Sequence, residues 1–112
     1  MVINLLVVGS LNMDLVVEVN EMPKPGATIL GKRYELCPGG KGANQAYAAS
    51  KLGTRLVNNI GECFKSNTKM IGVLGKDEYG EMLLQNLKSV GVDTRGVKIL
   101  DYTTSGLAII PV

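Results

Sequence analysis

Histidine and tryptophan are missing from the sequence, and phenylalanine occurs once. Without histidine there is no Ser-His-Asp or Cys-His nucleophile system. A zinc site would have to come almost wholly from carboxylates, which zinc rarely accepts. Four tyrosines and one phenylalanine are few for a module that stacks nucleic-acid bases. The net charge is +2, and the basic residues are scattered, so no patch for nucleic acid or a membrane surface stands out. No stretch approaches the roughly twenty apolar residues of a membrane span. The apolar opening, residues 1–8, lacks a basic leader and a small-residue cleavage site, which predicts a cytoplasmic protein with no membrane or nucleic-acid partner. Cys37 and Cys63 are the only cysteines. They form no C-x-x-C pair and read as reduced, partly buried thiols.

What remains is a chain of 112 residues with 46% apolar content, enough for one domain with its own core. Fourteen glycines are many for this length, and glycine serves where backbone turns tightly or approaches a neighbour closely. Residues 3–8 (INLLVV) form a short continuous apolar run that suits a strand buried in a parallel sheet. Residues 15–19 and 28–36 read as further strands around a Pro-Lys-Pro-Gly turn. A helix over 41–52 follows, with Ala43, Ala46, Ala49 and Leu52 at helical spacing and Gly53 as its stop. Residues 70–74 read as another buried strand. Asp77 caps a helix over 80–90, with Gly91 just past its end. Strands at 97–100 and 107–112 complete the series. Strands alternating with helices predict an α/β fold with a mostly parallel core sheet. Three strands, 15–19, 28–36 and 107–112, fall outside that rhythm and predict a small separate sheet. The chain stops inside an apolar run, 108–112, which reads as a fragment. Residues 60–65 weakly echo 71–76, and chance explains two copies.

Three segments are able to carry chemistry. Gly9-Ser10-Leu11-Asn12-Met13-Asp14 follows the first strand, and in open α/β sheets ligands sit beyond the carboxyl ends of strands. Asp14 can accept hydrogen bonds from two hydroxyls of a polyol, and Asn12 can both donate and accept. The plain structural alternative is that Asp14 caps a turn. The second segment is Pro38-Gly39-Gly40-Lys41-Gly42-Ala43-Asn44-Gln45. Its glycines expose backbone N–H groups at a helix start, where the helix dipole is positive. It is neither a Walker loop, since Gly42 follows Lys41, nor G-x-G-x-x-G, since Gln45 holds the last place. A tight turn feeding a helix explains it as well. The third, residues 72–80 (GVLGKDEYG), is accounted for by a strand, a turn and a capped helix, with Lys76 and Asp77 at the surface.

In this order the three segments resemble the ribokinase-like (PfkB) carbohydrate kinases. The likeness covers nearly the whole chain and is most specific in GGKGANQA. It implies a Rossmann-like α/β core with a small β lid over the sugar, the lid being strands 15–19, 28–36 and 107–112 of an amino-terminal part spanning 1–112. It implies a ribose-like sugar as substrate, ATP and Mg2+ in the complete enzyme, and a homodimer through the lid; an unpaired edge of the main sheet offers a second route to a homodimer. Carried over residue by residue, Asp14 binds sugar hydroxyls and Asn12 shapes their pocket. Gly39 gives backbone access, while Gly40, Lys41 and Asn44 line the site. The family's D-T-x-G-A-G-D motif, which carries the catalytic base, is missing. These residues alone are therefore expected to be inactive and to bind no ATP tightly, because phosphoryl transfer rests on positioning and charge stabilisation. Between Gly53 and Ile71 the chain is roughly eleven residues longer than the family pattern, which predicts a surface insertion or a competing strand near 57–68. The competing reading is a catalytically dead sugar-binding or oligomerisation module.

Overall fold

The computed structural model describes residues 2–60 and 65–112. The elements run β1 (Val2–Val8), β2 (Asn12–Glu18), β3 (Arg33–Gly39), α1 (Lys41–Ile60), β4 (Lys65–Gly75), α2 (Glu78–Lys88), β5 (Asp93–Leu100) and β6 (Gly106–Pro111). They form two three-stranded sheets, ordered β1-β4-β5 and β3-β2-β6. The first is parallel throughout, but β1 is not the buried strand its apolar run predicts: it lies at the sheet edge, and five of its seven residues are exposed. The second is mixed, because β2 pairs antiparallel with β3 and parallel with β6. The three strands that fall outside the α/β rhythm thus share one sheet.

One core joins the two sheets. Met70 and Leu74 of β4, Ala43 and Ala46 of α1, Leu83 and Leu87 of α2, and Met13 of β2 are all buried in it. The alanines of α1 keep that helix close to β4, against which it packs. Ser50 Oγ donates to the Val90 carbonyl at 2.6 Å and so ties α1 to the chain just beyond α2. Burying leucines and methionines of this size contributes about 1.5–3 kcal/mol each. The other face of the parallel sheet is open: Leu6, Val8 and Val73 are exposed.

Several element boundaries differ from the sequence reading, each for a physical reason. Helix α1 does not stop at Gly53 but runs to Ile60. Glycine inside a helix costs about 1 kcal/mol relative to alanine, yet here it makes room, since a Cβ on Gly53 would overlap the Ser66 hydroxyl. Strand β4 starts at Lys65 rather than at 70. In their described part, the extra residues near 57–68 extend α1 and β4 and form no separate strand beside β4. Cys63 and most of the 60–65 echo lie outside the described residues. Strand β3 begins at Arg33 and continues through Pro38 to Gly39. Proline is tolerated there because β3 is an edge strand.

Asp77 caps α2, its Oδ1 accepting from the Gly80 N–H at 2.8 Å. Gly91, at φ +82°, takes the left-handed turn past the helix end. The Asp77 carboxylate also accepts from the Ser105 N–H at 2.7 Å and from the Ser105 hydroxyl at 2.7 Å. The Ser105 N–H first, then the Gly80 N–H and the Ser105 hydroxyl, hold its pKa below the ordinary 3.8. A carboxylate with a depressed pKa adds stability in full above its unfolded value, and loses it as pH falls through the folded value. Denaturant unfolding of wild type and Asp77→Asn, from about pH 7 to about pH 2, should give a constant stability gap that narrows only below the unfolded value of 3.8. A gap unchanged across the acid range would contradict this account of Asp77.

Candidate functional site

The chain passes between its two sheets at three places: residues 9–11, Gly40, and residues 101–105. At the first two, backbone lies directly on backbone. A Cβ on Gly42 would stand 2.8 Å from Gly9 Cα, and one on Gly40 would stand 2.5 Å from the Ser10 carbonyl oxygen. Gly40 also adopts φ +97°, a conformation open to glycine and costly for residues with a Cβ. The Ala43 N–H donates to the Ser10 carbonyl at 3.0 Å, and the Gly9 N–H to the Ile71 carbonyl at 3.1 Å. The glycines of GGKG therefore let the start of α1 lie against the turn that leaves β1.

This contact brings the predicted site residues together. Side chains alternate along a strand, and Met13 is fully buried in the core, so Asn12 and Asp14 turn to the opposite face of β2. Asp14 is thus not a turn cap but a residue within a strand. Its Oδ1 accepts from Asn12 Nδ2 at 2.7 Å. Its carboxylate rests on Gly39, where a Cβ would stand 2.5 Å from Asp14 Oδ2. Gly39 is Asn12's partner in the β2–β3 register, and Cys37 is Asp14's. Cys37 is a free thiol. Just beyond, Lys41 and Asn44 stand exposed on the first turn of α1, which carries no acidic side chain. Asn12, Asp14 and Gly39 meet in one ledge, and Gly40 leads from it to Lys41 and Asn44 on α1.

Chemically, the ledge offers a half-buried carboxylate with acceptor capacity left over, an amide side chain that orients it, and a helix N-terminus with positive character. Such a set matches the chemistry of hydroxyl groups, which donate to carboxylates and accept from amides and ammonium groups. Further out along the same strands, a depression of about 410 Å3 is lined by Val16, Glu18, Arg33, Tyr34, Glu35 and Val112. There Glu18 and Arg33 already pair at 2.7 Å. Among the described residues no group of three or more His, Cys, Asp or Glu stands together to hold a metal ion, and no helix is long and apolar enough to cross a membrane. The sequence reading did not single out the Ser10 carbonyl, which fastens α1, or Ser105, which fastens β6. Ser105 carried no local signal, because its partner Asp77 is 28 residues away.

The family model for pfkB family carbohydrate kinases matches residues 2–112. Ribokinase of Bacillus subtilis is 43% identical over 105 residues, which cover 94% of this chain and 32% of that enzyme. Ribokinase of Lactococcus lactis is 41% identical over 98 residues, covering 88% of this chain and 29% of that enzyme. The solved structure of Arabidopsis thaliana ribokinase complexed with ribose and ATP matches with a TM-score of 0.78 at 33% identity, over 99% of this chain and 32% of that one. The chain spans about a third of the length of these relatives. With a family match running from residue 2 to residue 112 and a backbone that follows a solved ribokinase, the chain belongs to the pfkB family of carbohydrate kinases.

Proposed function

We propose that these residues form the sugar-binding part of an ATP-dependent ribokinase-type enzyme, with D-ribose as the sugar. The observation that carries this reading is the Asp14 carboxylate, oriented by Asn12 and set against Gly39 at the N-terminus of α1. A charged acceptor flanked by an amide is suited to a pair of sugar hydroxyls, since bonds to charged groups are the stronger ones. The Arabidopsis relative was solved with ribose and ATP, which supports the same choice of ligand. In this reading Asp14 accepts from sugar hydroxyls and Asn12 holds Asp14 in place, while Gly39 makes room for the Asp14 carboxylate and Gly40 for the close pass of Ser10. Lys41 and Asn44 border the sugar from the helix. The mixed sheet β3-β2-β6 serves as the lid, its Asp14 face toward the ligand.

ATP supplies the phosphoryl group when bound. The D-T-x-G-A-G-D sequence does not occur in these 112 residues. The role assigned to the chain is therefore to bind and orient the acceptor sugar, and these residues alone are not expected to transfer phosphate. Asp14→Ala should weaken D-ribose binding about tenfold or more, since a bond to a charged group is worth about 1.5–3 kcal/mol. Titration calorimetry with D-ribose tests it, and an unchanged affinity would remove Asp14 from the site.

Self-association is part of the same reading. On the mixed sheet, Tyr34, Leu107 and Ile109 are exposed, and on the parallel sheet Leu6, Val8 and Val73 are. Apolar surface of this kind favours burial against another chain, and a symmetric dimer is the commonest closed arrangement. Light scattering across the micromolar range should give twice the monomer mass. A monomer mass throughout would end the dimer proposal.

A further inference from the structure

The third passage between the sheets, residues 101–105, has its own fastening. We propose that Asp77 is a positioning residue for the sugar ledge: by holding Ser105 it sets strand β6, and through β6 the Asn12–Asp14 pair. This rests on the sugar reading above, although the link from Asp77 to Asn12 is structural and can be tested without a sugar.

The chain of contacts is short. Asp77 accepts from the Gly80 N–H, the Ser105 N–H and the Ser105 hydroxyl at 2.8, 2.7 and 2.7 Å. Ser105 Oγ also accepts from the Gly75 N–H at 3.1 Å, so the end of β4, the start of α2 and the entry to β6 meet at one buried serine. Space there is used up. A Cβ on Gly75 would stand 2.5 Å from Ser105 N, and one on Gly80 would stand 2.9 Å from Ser105 Oγ. The next residue, Gly106, is the register partner of Asn12, and a Cβ on Gly106 would stand 3.1 Å from Asn12 Cβ. Asn12 in turn donates to Asp14, whose own partner in β6 is Ala108. Release of Ser105 frees the first residue of β6, where that strand borders the ledge. Capping alone does not call for this arrangement. A cap needs one oxygen, and Asp77 commits its second oxygen to the Ser105 N–H.

The difference between capping and positioning selects the variant. Asp77→Ser retains a good cap for the Gly80 N–H but has no second oxygen for Ser105. In the 112-residue chain, followed by NMR, β6 amides should exchange about tenfold faster. The Asn12 side-chain amide resonances should move, and α2 amides should keep their wild-type protection. D-ribose affinity should fall about tenfold, as expected for one lost bond to a charged group. Unchanged β6 exchange and Asn12 resonances would overturn the proposal. So would equal loss of protection in α2 and β6, which would make Asp77 a cap and no more. An unchanged D-ribose affinity in a variant of a sugar-binding wild type would overturn it too. If wild type itself binds no D-ribose, the sugar reading falls, and the Asn12 and β6 signals alone decide the role of Asp77.

Discussion

Backbone contact between Gly9-Ser10 and Gly40-Gly42 is the constraint on which the rest of the structure depends. There the turn leaving β1 and the start of α1 lie so close that no Cβ fits between Gly42 and Gly9. The Ala43 N–H to Ser10 carbonyl bond fastens them. Because α1 then packs on β4 and β4 pairs with β1, this one crossing relates the helix, the parallel sheet and the root of the mixed sheet. It also explains why the sequence uses so much glycine beside a segment with no Walker or dinucleotide spacing. The glycines serve chain packing and, at Gly39, leave room for the Asp14 carboxylate.

Met13 sets which way β2 faces on that scaffold. Its side chain is completely buried in the core shared by both helices. A strand alternates its faces, so anchoring Met13 inward turns Asn12 and Asp14 outward, where β3 brings Gly39 beneath the carboxylate. The mixed sheet is thereby held at its root by packing at Met13, by backbone at Gly40 and by the Asp77–Ser105 bonds. Its outer part, toward Glu18 and Arg33, is far more open.

The sequence was informative where the signal was local. The unbroken apolar run of β1, the Asp77 cap and the turn at Gly91 all follow from neighbouring residues, and the structure has each of them. The three off-rhythm strands were visible as a group, although their limits moved by several residues. Asn12 and Asp14 read as a loop after β1 because Gly9-Ser10 ends the apolar run, yet Asn12-Met13-Asp14-Leu15 already alternates as a strand does. Gly53 read as a helix stop because the cost of glycine is local and visible, while the Ser66 neighbour that favours it comes thirteen positions later. The bond from Asp77 to Ser105 spans 28 residues and leaves no pattern in either segment. The glycine-rich loop and Asp14 were candidates on their chemistry alone, and only the fold shows Gly39 under Asp14.

The central claim is that Asn12, Asp14 and the residues from Gly39 to Asn44 together bind a sugar. The most direct measurement is an NMR titration of the isotopically labelled chain with D-ribose. The account predicts saturable shifts concentrated at Asn12, Asp14 and residues 39–44, with the open face around Leu6, Val8 and Val73 unaffected. Shifts centred elsewhere, or none at saturating D-ribose, would contradict it.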